Sequence, residues 1–265
     1  MPRTVVLIHG AWLNSACWDG FRARYEARGH IVHAPDWPYD DRPPVELRTR
    51  PAPELARVGQ REIIAHYERF IRSLPEAPIL IGHSAGGVFV QHLLDRGAGA
   101  AGVAIDPAPT PGVPLYPHAI VSALPVFLDP FSGRKLKQMS RRFFQRRFAQ
   151  LVPKDQADAL YDRYVVPTPG KIYWDGVINK IDINWSNPER PPLLLIGGGK
   201  DLIADAAMTS AIFRKQSRAP SVTELKIFPD RSHWTCLDPG WEEVADFALD
   251  WAARHAIGNA PAAAA

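Results

Sequence analysis

A chain of 265 residues that is 46% hydrophobic and 22% charged is long enough to bury a sizeable core and too apolar to stay disordered. Its net charge of +3 is too small, with no nucleic-acid motif beside it, to point to DNA or RNA. No apolar run approaches the ~20 residues of a membrane span, and the two cysteines, Cys17 and Cys236, make no disulfide framework. The expectation is a cytoplasmic protein acting on a small molecule; nothing in the sequence speaks to its oligomeric state.

The first apolar run, "TVVLIHG", ends in a turn and carries no leader pattern before it. "IVHAPDW" follows, then the Pro-rich "DRPPVELRTRPAP", which reads as an extended surface loop. In "GQREIIAHYERFIRSL" the residues Ile63, Ile64, Tyr67, Phe70 and Ile71 fall on one helical face. "PILIGHS" is a second strongly apolar run; "GGVFVQHLLDRG" after it reads as a helix, and "GVAIDPA" as the next strand. The strand candidates resume only at "PLLLIGGG" and "TELKIFPD", and "WEEVADFALDWAARHA" closes the pattern with Val244, Phe247, Ala248 and Trp251 on one face.

These runs lack strict polar alternation, as strands buried on both faces do. Strand and helix alternate, which predicts an α/β fold: a mostly parallel, doubly wound sheet with helices on both faces. Residues 1–106 and 193–256 would form this core. Residues 107–192 are far more than a crossover needs and would form an inserted helical cap. Within it, "RKLKQMSRRFFQRRFAQLV" spaces Leu136, Met139, Phe143, Phe144, Phe148 and Leu151 at helical intervals, so Phe144 and Phe148 are expected to wall a substrate pocket. Arg141, Arg142, Arg146 and Arg147 would face water or an anionic group. Residues 257–265 have nothing to pack with and would be a flexible tail.

Gly82-His83-Ser84-Ala85-Gly86 has the G-x-S-x-G form between a strand and a helix, the setting of a serine held in a strained turn. A serine hydroxyl needs a base, and the base an orienting carboxylate. Of nine histidines, His233 stands on the loop after the last strand candidate, where a base is wanted; His83 is expected to point away from the serine. Asp201, just past the strand ending in glycines, is the better carboxylate, with Asp106 as its competitor. The amides of Ala85 and of Ala11, in the "LIHGAW" turn, would stabilise an oxyanion, and Trp12 would line the pocket. Histidines and cysteines lack ligand spacing, and "GGGK" is not a dinucleotide fingerprint, so no metal or cofactor is expected.

The order His-Gly turn, Ser84, Asp201, His233 resembles the α/β-hydrolase superfamily, over nearly the whole chain. The opening "VVLIHGAWLNSACWDGFRARYEARGHIVHAPDWP" is similar to the plant methylesterase and hydroxynitrile lyase branch, although the cap reads as longer and more basic. The resemblance implies an α/β-hydrolase fold and a serine esterase with an acyl-enzyme intermediate. Thioesters and lactones are alternatives, as are a slow-turnover small-molecule receptor and a lyase or carbon-carbon hydrolase. A lyase would want a lysine beside the base, where this chain has Trp234.

Overall fold

The computed structural model describes residues 3–178 and 180–256; the expected tail lies outside them. Six strands form one parallel sheet: β1 (Thr4–Ile8), β2 (Ile31–His33), β3 (Ile79–His83), β4 (Ala101–Ile105), β7 (Leu193–Gly198) and β8 (Thr223–Phe228). Their order across the sheet is β2-β1-β3-β4-β7-β8, with Ile8 opposite Gly82, His83 opposite Ile105 and Ile105 opposite Ile196. The four central strands are buried along their whole length, whereas β2 and β8 at the edges are partly exposed. That is why only the central runs read as continuously apolar.

Helices α1 (Asp19–Ala27), α3 (Gln60–Arg72), α4 (Ala85–Asp95), α9 (Ala206–Gln216) and α10 (Trp241–His255) cover the faces of the sheet. Helix α4 follows β3 directly and is buried on nearly every side. It lies so close to β1 that a Cβ on Gly86 would come within 2.1 Å of the Ile8 carbonyl oxygen, so only glycine fits there. Because successive strands run parallel, the loops after β1, β3, β4, β7 and β8 all emerge at one edge. Ligands bind at that edge in doubly wound sheets.

The Pro-rich segment departs from the expected extended loop: it contains helix α2 (Pro44–Thr49) and a 3-10 turn (Pro53–Arg57). Proline is compatible with both because it stands in the first turn of each, where its missing N–H has no helical partner anyway. The α2 residue Arg48 donates to the carbonyls of Val165 (2.6 Å) and Asp162 (2.7 Å), fastening the segment to the long β4–β7 connection.

That connection, residues 107–192, holds α5 (Pro117–Phe127), α6 (Arg141–Phe143), α7 (Lys154–Tyr164) and α8 (Lys171–Val177), with a small antiparallel pair β5 (Leu136–Lys137) and β6 (Thr168–Pro169). The continuous helix expected over "RKLKQMSRRFFQRRFAQLV" is absent. The α6 turn passes into a π-helical turn, Phe144–Phe148, and the segment before it is β5 and loop. Among the described residues no helix is long and apolar enough to cross a membrane.

Candidate active site

Ser84 sits between β3 and α4 with φ of 55° and ψ of −117°, in a region that residues with side chains rarely adopt. The turn is held on both sides: Ser84 N donates to the Ile105 carbonyl at 2.9 Å, and Ala108 N donates to the Ser84 carbonyl at 3.0 Å. Opposite it, the turn after β1 comes close enough that a Cβ on Gly10 would lie 2.8 Å from the Ser84 Cβ. Glycine is therefore what lets the Ala11 amide approach the serine. Trp12, the next residue, has φ of 63°, and its carbonyl accepts from Val166 N at 2.9 Å. The Ala85 amide belongs to the first turn of α4, whose N–H groups have no partner within the helix.

His233, on the loop after β8, brings Nε2 to 3.1 Å from Ser84 Oγ and Nδ1 to 2.6 Å from Asp201 Oδ2. Asp201 Oδ1 accepts from the amides of Ile203 (2.6 Å) and Ala204 (2.9 Å). These contacts fix the tautomer: Nδ1 donates to the carboxylate, leaving the Nε2 lone pair to accept from the serine hydroxyl. All three residues are buried. Burial, the largest single influence, would lower the His233 pKa, but the nearby carboxyl groups, Asp201 first through its charge and hydrogen bond and then Asp106 and Asp238, together turn the net shift upward.

Asp106 does not touch the His233 Nδ1 position that Asp201 occupies. Its Oδ1 accepts from Gly198 N at 2.6 Å and its Oδ2 meets the Thr235 hydroxyl, so it ties the end of β7 to the base loop. Burial, then the charge of Asp201, pushes its pKa up to about 8. Hydrogen counting agrees. The Thr235 Oγ1 is also 2.5 Å from the Ser232 carbonyl, and one hydroxyl proton cannot serve both oxygens. A neutral Asp106 donating to Thr235, which donates to Ser232, satisfies every group.

His83 turns its ring to the His233 backbone and not to the Ser84 hydroxyl. Its Nε2 donates to the His233 carbonyl at 2.9 Å, its ring centroid is 4.9 Å from that of His233, and burial and then the neighbouring His233 push its pKa down to about 3. It is thus a neutral brace under the loop that carries His233. On the other flank the Asp238 carboxylate holds Ser232 through its backbone N (2.7 Å) and hydroxyl. Neither brace has a local sequence signal, since each depends on which loops meet. His83, Asp106 and His233 offer ligand atoms within 4.8 Å of one another. The hydrogen bonds above engage both nitrogens of His233 and both oxygens of Asp106, which leaves little for a metal ion.

Above Ser84 lies a cavity of about 210 Å³. Ser84, Ala85, Ala11 and Trp12 line it, as do residues of α5 and α8, among them Ile120, Leu124, Phe127, Tyr173 and Val177. The expectation for Phe144 and Phe148 is corrected: neither borders the cavity. Both are buried, Phe144 against Trp234 (ring centroids 5.1 Å) and Phe148 against His233 (4.9 Å), because the π-turn directs them beneath the base loop. Arg142 and Arg146 lie with Gln145 and Lys154 around a separate polar groove. Arg147 turns inward instead, donating to the Leu202 carbonyl and lying 3.2 Å from His118 Nδ1.

Comparison with known proteins fits this architecture. A pyrethroid hydrolase of Sphingobium wenxiniae is 31% identical in an alignment of 145 positions, gaps included, that covers 46% of this chain and 46% of that protein, so the match spans less than half of either. An Arabidopsis methylesterase superposes over 95% of this chain and 99% of its own, at a TM-score of 0.67 and 16% identity. A monoacylglycerol lipase of Paleococcus ferrophilus does so over 97% and 96%, at 0.69 and 21%. At those identities the two structures share the fold alone. Residues 5–247 match the alpha/beta hydrolase family as a whole, and this chain belongs to that family.

Proposed function

We propose that the protein is a serine carboxylic ester hydrolase acting on small, neutral, largely apolar esters or related acyl compounds such as thioesters and lactones. The observation that carries the reading is the unbroken line from Asp201 Oδ2 through the His233 ring to Ser84 Oγ, 2.6 and 3.1 Å, at the base of an apolar cavity. In this reading Ser84 Oγ attacks the carbonyl carbon while His233 Nε2 takes its proton, and Asp201 stabilises the imidazolium. The carbonyl oxygen becomes an oxyanion facing the Ala11 and Ala85 amides. His233 then gives its proton to the departing alcohol. A water deprotonated by the same nitrogen attacks the acyl carbon, and the acid leaves as Ser84 regains its proton. The relative named a pyrethroid hydrolase supports ester chemistry.

The test is labelling with a fluorophosphonate, followed by turnover of p-nitrophenyl esters. The expected result is one label on Ser84, lost in Ser84→Ala, and hydrolysis lost with it. A folded protein that takes no label and turns over none of the esters would overturn the reading.

A further inference from the structure

The wall of the cavity does not become polar where it reaches the surface. Leu115, Ile120, Leu124 and Val177 all line the cavity, yet each is about half exposed to solvent. Along α5, Ile120, Leu124 and Leu128 recur every four residues and so form one stripe. Leu128, just past the end of the helix, is 73% exposed. The helix packs on α8 through Phe127, whose ring meets those of Tyr173 and Trp174. An apolar strip therefore leads from the serine, between α5 and the end of α8, to the outside.

The sequence marks the same strip. No Asp, Glu, Lys or Arg stands between Asp106 and Asp129, in a chain that is 22% charged. A surface helix normally carries charge on its outer face, and an apolar patch continuous with a cavity marks a place where something apolar binds. The cavity itself, at about 210 Å³, is below the ~300–1,000 Å³ of most small-molecule sites. A substrate much larger than a short acyl group must extend beyond it.

Resting on the Ser84 reading above, we infer that the substrates are neutral esters with a long apolar chain, whose far end leaves the cavity between α5 and α8 and lies along Ile120, Leu124 and Leu128. Continuity selects this occupant over a second copy of the chain, because the same side chains line the cavity and form the outer strip. The absence of charge along the strip selects a neutral chain.

The experiment measures kcat/KM, below micelle-forming concentrations, for p-nitrophenyl esters from acetate to dodecanoate and for alkyl acetates of matching length. The two series separate a chain on the acyl side from one on the alcohol side. A rise of about twofold per methylene is expected in one series beyond the cavity-filling length, since a fully buried methylene is worth about fourfold and this strip covers about half of it. Leu128→Ser and Leu124→Ser should each lower the long-to-short ratio at least threefold. If short esters are hydrolysed with Ser84 labelled but both series are flat, the strip is not a chain path, and the Ser84 reading stands. If no ester is turned over and nothing is labelled, that reading falls and this one with it. A dimer that Leu128→Ser dissociates while the ratio stays unchanged would make the strip a subunit contact and overturn the inference.

Discussion

Replacing Asp201 with asparagine changes one atom and, by the geometry here, the proton map of the whole site. The amides of Ile203 and Ala204 both donate to Oδ1 at 2.6 and 2.9 Å, so they hold the asparagine carbonyl oxygen in that place. The NH2 group then faces His233 Nδ1, where Oδ2 accepts at 2.6 Å in the parent. Two donors cannot share that contact. His233 must move its proton to Nε2, which leaves the serine hydroxyl, 3.1 Å away, with a donor in front of it instead of a base. Loss of a triad carboxylate in this manner costs ~10⁴ in kcat, about 5 kcal/mol of transition-state stabilisation. Steady-state hydrolysis of p-nitrophenyl butyrate should show the fall in kcat with KM little changed, and nitrogen-15 spectra should show the proton leaving Nδ1. A variant within tenfold of the parent kcat, with the Nδ1 proton still in place, would refute the reasoning.

Three further outcomes follow from the same contacts. Because the nearby carboxyl groups, Asp201 first, raise the His233 pKa above the usual 6.5 despite burial, kcat/KM should fall as pH drops through a value above 6.5; an acid limb lying below it would contradict the assignment. Asp106→Asn should stay active at neutral pH, since asparagine mimics the neutral acid. The native state holds the Asp106 proton up to about 8, whereas an unfolded carboxyl releases it near ~3.9, so between these values rising pH costs the parent stability. The variant should therefore show a flatter decline of Tm with pH, and an unchanged slope would argue against a neutral Asp106. Phe144→Ala should destabilise the fold by ~3–5 kcal/mol in denaturant titrations while leaving chain-length selectivity alone; a changed selectivity in a stable protein would return Phe144 to the binding surface.

The central strands were readable because both their faces are buried, which leaves a run of apolar residues with no polar alternation. Ser84 was readable because the elbow needs glycines at fixed offsets around it, and Asp201 and His233 because parallel strands deliver their following loops to one edge. The π-turn was not readable. Apolar residues three and four apart fit α and π turns alike, so the pattern does not tell that Phe148 ends a π-turn and packs on His233. Helix α2 was hidden by its prolines, although Pro43 and Pro44 stand where a helix tolerates them. The cavity wall of α5 and α8 depends on how residues 107–192 fold back over the sheet, which local pattern does not encode. The charge-free stretch before Asp129 was the available sign.

The Val166 amide that donates to the Trp12 carbonyl and the Phe148 ring, its centroid 4.9 Å from that of His233, join residues 107–192 to the turn after β1 and to the loop that carries His233 respectively. In the reading proposed above, residues 107–192 would divide their duties: the stretch around the π-turn and β6 holds the loops of the site in place, while α5 would shape what enters. Exchanging the whole insertion for that of a relative would loosen those loops along with the selectivity. Exchange confined to the outward stripe of α5 would leave those joins in place, so selectivity could change there without loosening the site.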